Sequence, residues 1–523
     1  MLLWLAVGTI GLAGPVAVAQ VEIDEPEDRE TRPQGAETTL AAERRRLDEK
    51  WIEEFKAGDH AAAEETLKRL IRIDGDNFVH HYNLAIVLAA QRKLDESVEA
   101  LTQAIAAGFT DLRYLQNDRH LDPIREHPRY KATVAGWDLI MDAAIDLRLE
   151  HFKKRYGPKY TTERDESLRL GYVSAFEPVS FGTAKEELAR LARWWEEEVV
   201  SELGSRAVIA ETDADGSQRA DPWVLVFLPT KEDYARWAAP RFGPGWRQVG
   251  GSYSDDKKLL IAQDLGGTLR HEFWHVLHWR DMRRRGQLHP IWVMEGLCSL
   301  VEDVETLPDG RMRPLPNVRT NIAKRRLRGG VLLPWSELFD REQRRFVTSS
   351  PLAHYAEARS VFLFLAEEGK LAPWYAAYVS GYDEDPTGAA AISRVYGRPL
   401  AQVEQRYRAW LAALPEAAEE IPVGGAALPF EVEPAAGGAG EAGDGLQITT
   451  FPPIPKRKRG EPAPERLRLR DVVTAIDGKP VRDLAELVRV LSEYQPGQEV
   501  EVSFRRGKLT GTARTVLVAK RRG

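Results

Sequence analysis

The stretch LRHEFWHVLHW, residues 269–279, places His271 and His275 four positions apart with Glu272 directly after the first histidine. On an α-helix, residues four apart stand one turn above each other, with about 5–6 Å between their Cβ atoms. Both imidazoles can therefore meet one tetrahedral zinc at about 2.0–2.1 Å. From its position Glu272 reaches a zinc-bound water without ligating the metal. It can take the proton of that water, whose pKa falls to about 7, as it attacks a carbonyl. The surrounding residues are apolar, which marks a helix inside the protein and not a polar surface helix with two stray histidines.

A third ligand decides the subclass. A glycine three residues after the second histidine, followed by His or Asp six after it, would turn the chain back toward the metal. Those positions hold His278 and Asp281, so the helix continues and Asp281 points elsewhere. Glu295, in IWVMEGLCSLVED (291–303), lies twenty residues beyond His275 at the start of a second apolar helix, and Gly296 allows close packing beside it. This HExxH-plus-glutamate pattern is similar to that of the gluzincins of the peptidase MA clan. The resemblance implies a mixed α/β metallopeptidase domain over 136–415, zinc as cofactor, His271, His275 and Glu295 as ligands, and Glu272 as general base.

The same resemblance extends to the surroundings. In many gluzincins the residue four past the glutamate is a carboxylate that orients a ligand histidine; here it is Ser299, with Glu302 one turn further on. His278 and His289 stand as reserve ligands. Acyl transfer also needs a group that stabilises the oxyanion. Ser350-Pro351 opens a helix at its N-cap and first position, and Tyr355 on that helix is the implied catalytic partner, with His354 second. Substrate would lie as an added β-strand along a sheet edge, for which LLIA, Leu259 to Ala262, is the candidate. Trp274, Trp279 and Trp292 either wall a pocket or fill core.

Upstream, Thr183 and Glu186 form a capping box before ELARLARWWEEEVV, and WVLVFLP (223–229) is a buried strand. GGSYSDDKKLLIAQD (250–264) is a hairpin turning at Ser254-Asp255-Asp256. Residues 40–135 read as paired helices. Trp51, Phe55, Ala61, Ala63, Leu67 and Leu70 recur at helical spacing, followed by Tyr82, Leu84, Ala85, Leu88 and then Leu94, Ala100, Leu101, Ala104. The unit length, near 34, and the small residues at the helix crossings resemble tetratricopeptide repeats. Residues 112–130 resemble the degenerate element that closes such arrays.

Downstream, residues 416–444 are dominated by Ala, Gly, Pro and Glu and read as a linker. DVVTAIDGKPV, VRDLAELVRVLSEY and EVEVSFRRGKLTGTARTVLV then give strand, turn, strand, helix and hairpin. That order resembles the PDZ domain of exported bacterial proteases over 445–520. The family's carboxylate-binding loop would correspond to Gly445, Leu446, Gln447 and Ile448. Arg470 replaces a usual glycine before Asp471, and a Pro- and Lys-rich insertion fills 452–465.

A chain of 523 residues exceeds one hydrophobic core, and a net charge of -7 argues against a nucleic-acid binder. Arg283-Arg284-Arg285 and Lys456-Arg457-Lys458 are short solvated runs. Cys298 is the single cysteine, which excludes an intrachain disulfide and a cysteine-built zinc site. Residues 1–19 are apolar and end in Ala17-Val18-Ala19, as in a secretory signal peptide, without a preceding basic residue. They are either cleaved or retained as a membrane tether, and residues 20–39 read as a disordered leader. The expectation is a multidomain α+β chain: helical repeats, a gluzincin-like unit and a PDZ-like unit. It would be an exported zinc peptidase, periplasmic or extracellular, whose flanking modules recruit protein or peptide substrates. The alternative is a non-catalytic adaptor that binds protein partners through the same modules.

Overall fold

The computed structural model describes residues 34–521 apart from 74, 76, 177, 204–221, 230, 243–250, 255–257, 308, 436–444, 452–466 and 508. The signal segment 1–19 lies outside the described residues. Helix α1 (Gln34–Lys56) begins inside the 20–39 stretch read as a leader. Ala36, Ala41 and Ala42 are strong helix formers, which counts for more there than the acidic composition.

Helices α2 (His60–Ile73), α3 (Phe78–Ala90) and α4 (Leu94–Ala106) follow, with α2 and α4 starting 34 residues apart, at His60 and Leu94. Small Ala85, Ala89, Ala100 and Ala104 are buried where α3 and α4 pack, and the Ser97 hydroxyl donates to Ala85 O at 2.7 Å across that contact. Ala61 is exposed, so the apolar stripe of α2 runs through Ala63, Leu67 and Leu70 without it. Helices α5 (Leu112–Asn117) and α6 (Pro128–Ala135) close this helical part, and α7 (Trp137–Tyr156) leads out of it.

The central unit is built on a five-stranded sheet of β1 (Thr161–Asp165), β2 (Leu170–Ser174), β3 (Trp223–Phe227), β4 (Gly251–Ser254) and β5 (Leu259–Ala262), ordered β1-β2-β3-β5-β4. Strands β2, β3 and β5 are parallel, and each outer strand is antiparallel to its neighbour. The parallel strands are buried on both faces, as continuous apolar runs require. Ile145 and Leu149 of α7 cover one face, together with Tyr234 and Trp237 of α9 (Lys231–Phe242). Helices α8 (Pro178–Glu198) and α10 (Gly267–Arg285) cover the other.

Two expectations fail here. LLIA is an interior strand, since four consecutive buried residues need cover on both sides and a partner on each edge; the outer strand is Gly251–Ser254. Thr183 is no cap either. Helix α8 starts at Pro178, whose ring suits a first helical turn, and the Thr183 hydroxyl donates back to Val179 O within the helix.

After α10 come α11 (Ile291–Leu300), the hairpin β6 (Val304–Thr306) and β7 (Met312–Pro314), and α12 (Val318–Arg328). Then follow α13 (Trp335–Phe339), α14 (Gln343–Thr348), α15 (Pro351–Glu367), α16 (Leu371–Ser380), α17 (Ala389–Tyr396) and α18 (Leu400–Ala413). Gly296 lets α11 lie against α15: a Cβ there would stand 2.6 Å from the Phe362 ring and 3.0 Å from Ala358 O. Trp274 and Trp292 are fully buried and Trp279 nearly so, so the three fill core.

The C-terminal unit contains β8 (Ala426–Ala427), β9 (Glu431–Pro434), β10 (Leu446–Thr450), β11 (Val472–Ile476), β12 (Lys479–Pro480), α19 (Leu484–Leu491), β13 (Glu499–Arg506), β14 (Leu509–Val516) and β15 (Val518–Ala519). Its main sheet runs β14-β13-β11-β10-β9. The 416–444 linker therefore contributes β8 and β9. Its bulky residues Leu428 and Phe430 join the core of this unit, Ile421 and Val432 pack against it, and Val423 is exposed. Asp477 and Gly478 both take positive φ, 47° and 75°, as a two-residue hairpin turn demands. Arg470 holds φ 70°, the left-handed conformation that a glycine would adopt freely. Among the described residues no helix is long and apolar enough to cross a membrane.

Candidate metal centre

Helix α10 is buried along most of its length and stops at Gly286, whose φ of 66° gives the left-handed C-terminal cap. Arg283, Arg284 and Arg285 occupy its last turn, where cations suit the helix dipole. Helix α11 starts after Pro290 and is buried throughout, so a carboxylate on it must find partners. Glu295 finds them on α10. His271 Nε2 and His275 Nε2 lie 3.2 Å apart, and Glu295 Oε2 lies 3.3 Å from the first and 3.6 Å from the second. A tetrahedral ion with bonds of about 2.0–2.1 Å has ligand atoms about 3.3–3.4 Å from one another. Two imidazoles and a carboxylate at this spacing fit zinc. Among the described residues this is the one cluster of three His, Cys, Asp or Glu groups that converges so.

The surroundings brace the two histidines differently. His271 Nδ1 is 3.1 Å from Glu302 Oε1, and Arg319 on α12 donates to both oxygens of Glu302 at 2.5 and 2.7 Å. Glu302 thus does what Ser299 cannot; the Ser299 side chain is buried, and its carbonyl accepts from Arg359. His275 Nδ1 has no hydrogen-bond partner among the described residues, and the ring is stacked by Tyr253 of β4, ring centroids 4.1 Å apart. Burial alone would lower the His271 pKa, but Glu295 and Glu302 outweigh it and bring it to about 10. Burial alone would raise Glu302, but Arg319 and His271 hold it at about 2. Glu295 is likewise held far below the usual carboxylate range, its burial overcome by the two histidines.

Glu272 stands apart. Its Oε2 is buried with no hydrogen-bond partner among the described residues, and burial, aided by Glu295 and Asp264 and opposed by His271, pushes its pKa up to about 7. That is the range a general base needs near neutral pH. Strand β4 passes close because residue 251 is glycine: a Cβ there would stand 3.0 Å from Glu272 Cγ and 2.9 Å from Ile261 O.

Tyr355 joins the site. Its ring lies 6.5 Å from that of His271, under the Arg319 guanidinium at 5.3 Å, and burial raises its hydroxyl well above the ordinary value. His354 does not join; its Nδ1 lies 2.7 Å from Phe346 O on α14. Nor do the reserve ligands. His278 Nε2 and His289 Nδ1 lie 2.7 Å apart in a buried aromatic pocket with Trp195 and Tyr375, where burial keeps both neutral. Tyr253 and Arg319 escaped the sequence reading. Tyr253 sits in a four-residue strand, and Arg319 lies within the Asn317–Thr320 capping box with nothing local to mark it as a partner of Glu302.

The nominated peptide loop is also relocated. Gly445 has φ 110°, and a Cβ on it would fall 2.4 Å from Val473 O; the residues after it, Leu446, Gln447 and Ile448, form strand β10. That strand is paired on both sides, to β9 and β11, with Leu446 and Ile448 in the core. The outer strands of this sheet are β14 and β9, and β9 pairs with β10 alone among the described residues. It follows directly on Ala427-Leu428-Pro429-Phe430.

A family model for the PDZ domain matches residues 454–517. No curated protein matches the chain. A PDZ domain thus stands near the C-terminal end of this multidomain α+β chain, and it suggests a protein-interaction or substrate-binding role.

Proposed function

We propose that the chain is an exported zinc-dependent peptidase, gluzincin-like in its central unit, to which tetratricopeptide-like helices and the PDZ domain bring protein substrates. The observation that carries this is the convergence of His271, His275 and Glu295 at ligand spacing, with the Glu272 carboxylate buried beside them and its Oε2 without a hydrogen bond among the described residues. Zinc in that position supplies a Lewis acid and a water of lowered pKa. Glu272 accepts the proton of the attacking water and passes it to the leaving amine. Glu302 and Arg319 fix the His271 ring, Tyr253 fixes His275, and the Tyr355 hydroxyl is the group for the developing oxyanion. The apolar segment ending in Ala17-Val18-Ala19 supports export. Metal analysis of the purified chain tests the reading: about one zinc per chain is expected, with peptide hydrolysis lost in Glu272→Gln while zinc and fold persist. A folded chain that retains no zinc overturns it.

A second reading, a non-catalytic adaptor, is favoured by the PDZ match and by the outer edge of β9, which pairs with no strand among the described residues. It prevails if the zinc-loaded protein cleaves nothing across an unbiased peptide library yet retains peptides at the PDZ domain.

A further inference from the structure

The first turn of α19, in the PDZ domain, meets the first turn of α10 across a buried seam. Arg482 precedes Asp483, the cap of α19, and sends its guanidinium into the central unit. Its Nη1 and Nη2 donate to the two carboxylate oxygens of Glu187 on α8 at 2.6 and 3.2 Å. Nη1 also donates at 2.8 Å to Leu265 O, directly before Gly266, the N-cap of α10. Arg270, the residue before His271, completes the seam with Nη1 3.3 Å from Glu187 and Nη2 3.5 Å from Glu486 of α19. Glu187, Glu486 and Arg270 are all buried. Glu187 and Glu486 face the two guanidinium groups directly, and Asp264 and Asp483 stand nearby, so the two arginines offset carboxylate charge that burial has stripped of hydration.

The same Arg270 side chain also holds backbone beside the metal centre. Its Nε donates to Val301 O at 3.1 Å and to Glu302 O at 3.2 Å. Glu302 is the residue whose carboxylate meets His271 Nδ1.

We propose that Arg482 is a positioning residue through which the docked PDZ domain fixes the metal centre: Arg482 holds Glu187, Glu187 and Glu486 hold Arg270, and Arg270 holds residue 302 against His271. This rests on the reading of His271 as a metal ligand. Without Arg482, two buried carboxylates compete for Arg270 alone and draw it from the 301 and 302 carbonyls. A lysine restores the charge but not the two-pronged contact with Glu187.

The test uses the full chain as wild type, Arg482→Met, Arg482→Lys and Glu187→Gln. Zinc affinity is measured by competition with a chromogenic chelator. Amide exchange is followed over 267–273 and 301–303, with the PDZ strands as the internal control. Arg482→Met and Glu187→Gln are each expected to weaken zinc by about tenfold or more, the size seen when an outer partner of a metal ligand is lost. Arg482→Lys recovers part of that loss. Exchange quickens in both segments, with zinc or without, while the PDZ strands keep their protection. Zinc affinity within about twofold of wild type in Arg482→Met, with unchanged exchange over 267–273, overturns the proposal. If Arg482→Met does not fold, the other two variants are read against the same criteria. A wild type that binds no zinc counts against the peptidase reading instead, and the exchange rates alone then decide the seam.

Discussion

The central unit offers a ligand three side-chain tips, His271, His275 and Glu295, carried by two buried helices that cannot shift independently. The C-terminal unit, which holds the PDZ match at 454–517, offers the backbone of a short outer strand that precedes the match, Glu431–Pro434, whose Glu431, Val432 and Glu433 side chains are exposed or only half covered. The first arrangement selects by element and geometry. The second accepts any extended chain that can pair and leaves selectivity to the flanking pockets. Side-chain sites should therefore fail abruptly when one tip is removed, whereas a strand edge should fail by degrees.

The largest expected effects test the abrupt side. Glu295→Ala takes away one of three ligands and leaves His271 and His275 facing each other at 3.2 Å without the carboxylate. Zinc should be undetectable in the purified variant by metal analysis. Glu272→Gln should leave zinc at the wild-type level and lower peptide hydrolysis by about 10²–10⁴-fold, the usual contribution of a general base. If both variants kept zinc and activity, the centre would be a structural cluster and no longer the counterpart of the PDZ edge.

What could be read from the sequence divides along the same line. His271 and His275 share a helical face by virtue of spacing alone, and Glu295 is named by the gluzincin resemblance on a second apolar helix; the structure brings these three side chains together. The outer strand was not legible in this way. LLIA was more apolar and more strand-like than Gly251–Ser254, yet those qualities put it inside the sheet, because a strand with four buried residues needs neighbours on both sides. The same happened in the PDZ domain. Gly445–Ile448 looked like the special loop because of its glycine, but that glycine is needed where the chain passes Val473, and β9 was hidden in a stretch whose Ala and Gly content reads as linker. Side-chain periodicity is local and legible. Strand order depends on pairing between distant segments, which no single segment states.

The seam between the two regions gives the next effect. Burial works against the Glu187 carboxylate, but Arg482 and Arg270 outweigh it and hold its pKa at about 2, below the ordinary 4.5. A carboxyl depressed on folding stabilises the fold above its unfolded pKa and loses that contribution as pH falls through the folded value. The gap corresponds to about 3 kcal/mol at neutral pH. Glu187→Gln should thus unfold at lower urea than wild type at pH 7, with the difference shrinking steadily from about pH 5 down to about 2. A difference that is the same at pH 7 and pH 3 would mean that Glu187 acts by packing and not by charge.

Glu302→Gln should come third, with zinc affinity lowered by about 10–100-fold and the Arg319 contact weakened at the same time. Its counterpart on the other histidine, Tyr253→Leu, removes a stacked ring and no hydrogen bond to the imidazole, so its effect on zinc should be smaller. Chelator competition on both variants ranks the two braces directly. Equal losses would show that ring stacking positions a ligand as firmly as a charged partner.

The smallest expected effect falls on the strand edge. Ala435 N donates to Gly445 O, so Ala435 and, two residues back, Glu433 turn their backbone groups inward to β10. In the alternation of an antiparallel pair, Val432 and Pro434 then point outward. Pro434 fits there because its missing N–H lies on the unpaired side, which leaves Val432 to donate to an added peptide. Val432→Pro should remove that one donor and part of the side-chain packing of β9 on the core, and a backbone hydrogen bond contributes about 1 kcal/mol net. Peptide affinity of the PDZ domain, measured by fluorescence anisotropy on peptides selected by the wild-type chain, should fall about fivefold, with zinc affinity unchanged. A loss of a hundredfold would mean that this edge, like the metal centre, depends on a single group; no loss at all would place the peptide elsewhere than along β9.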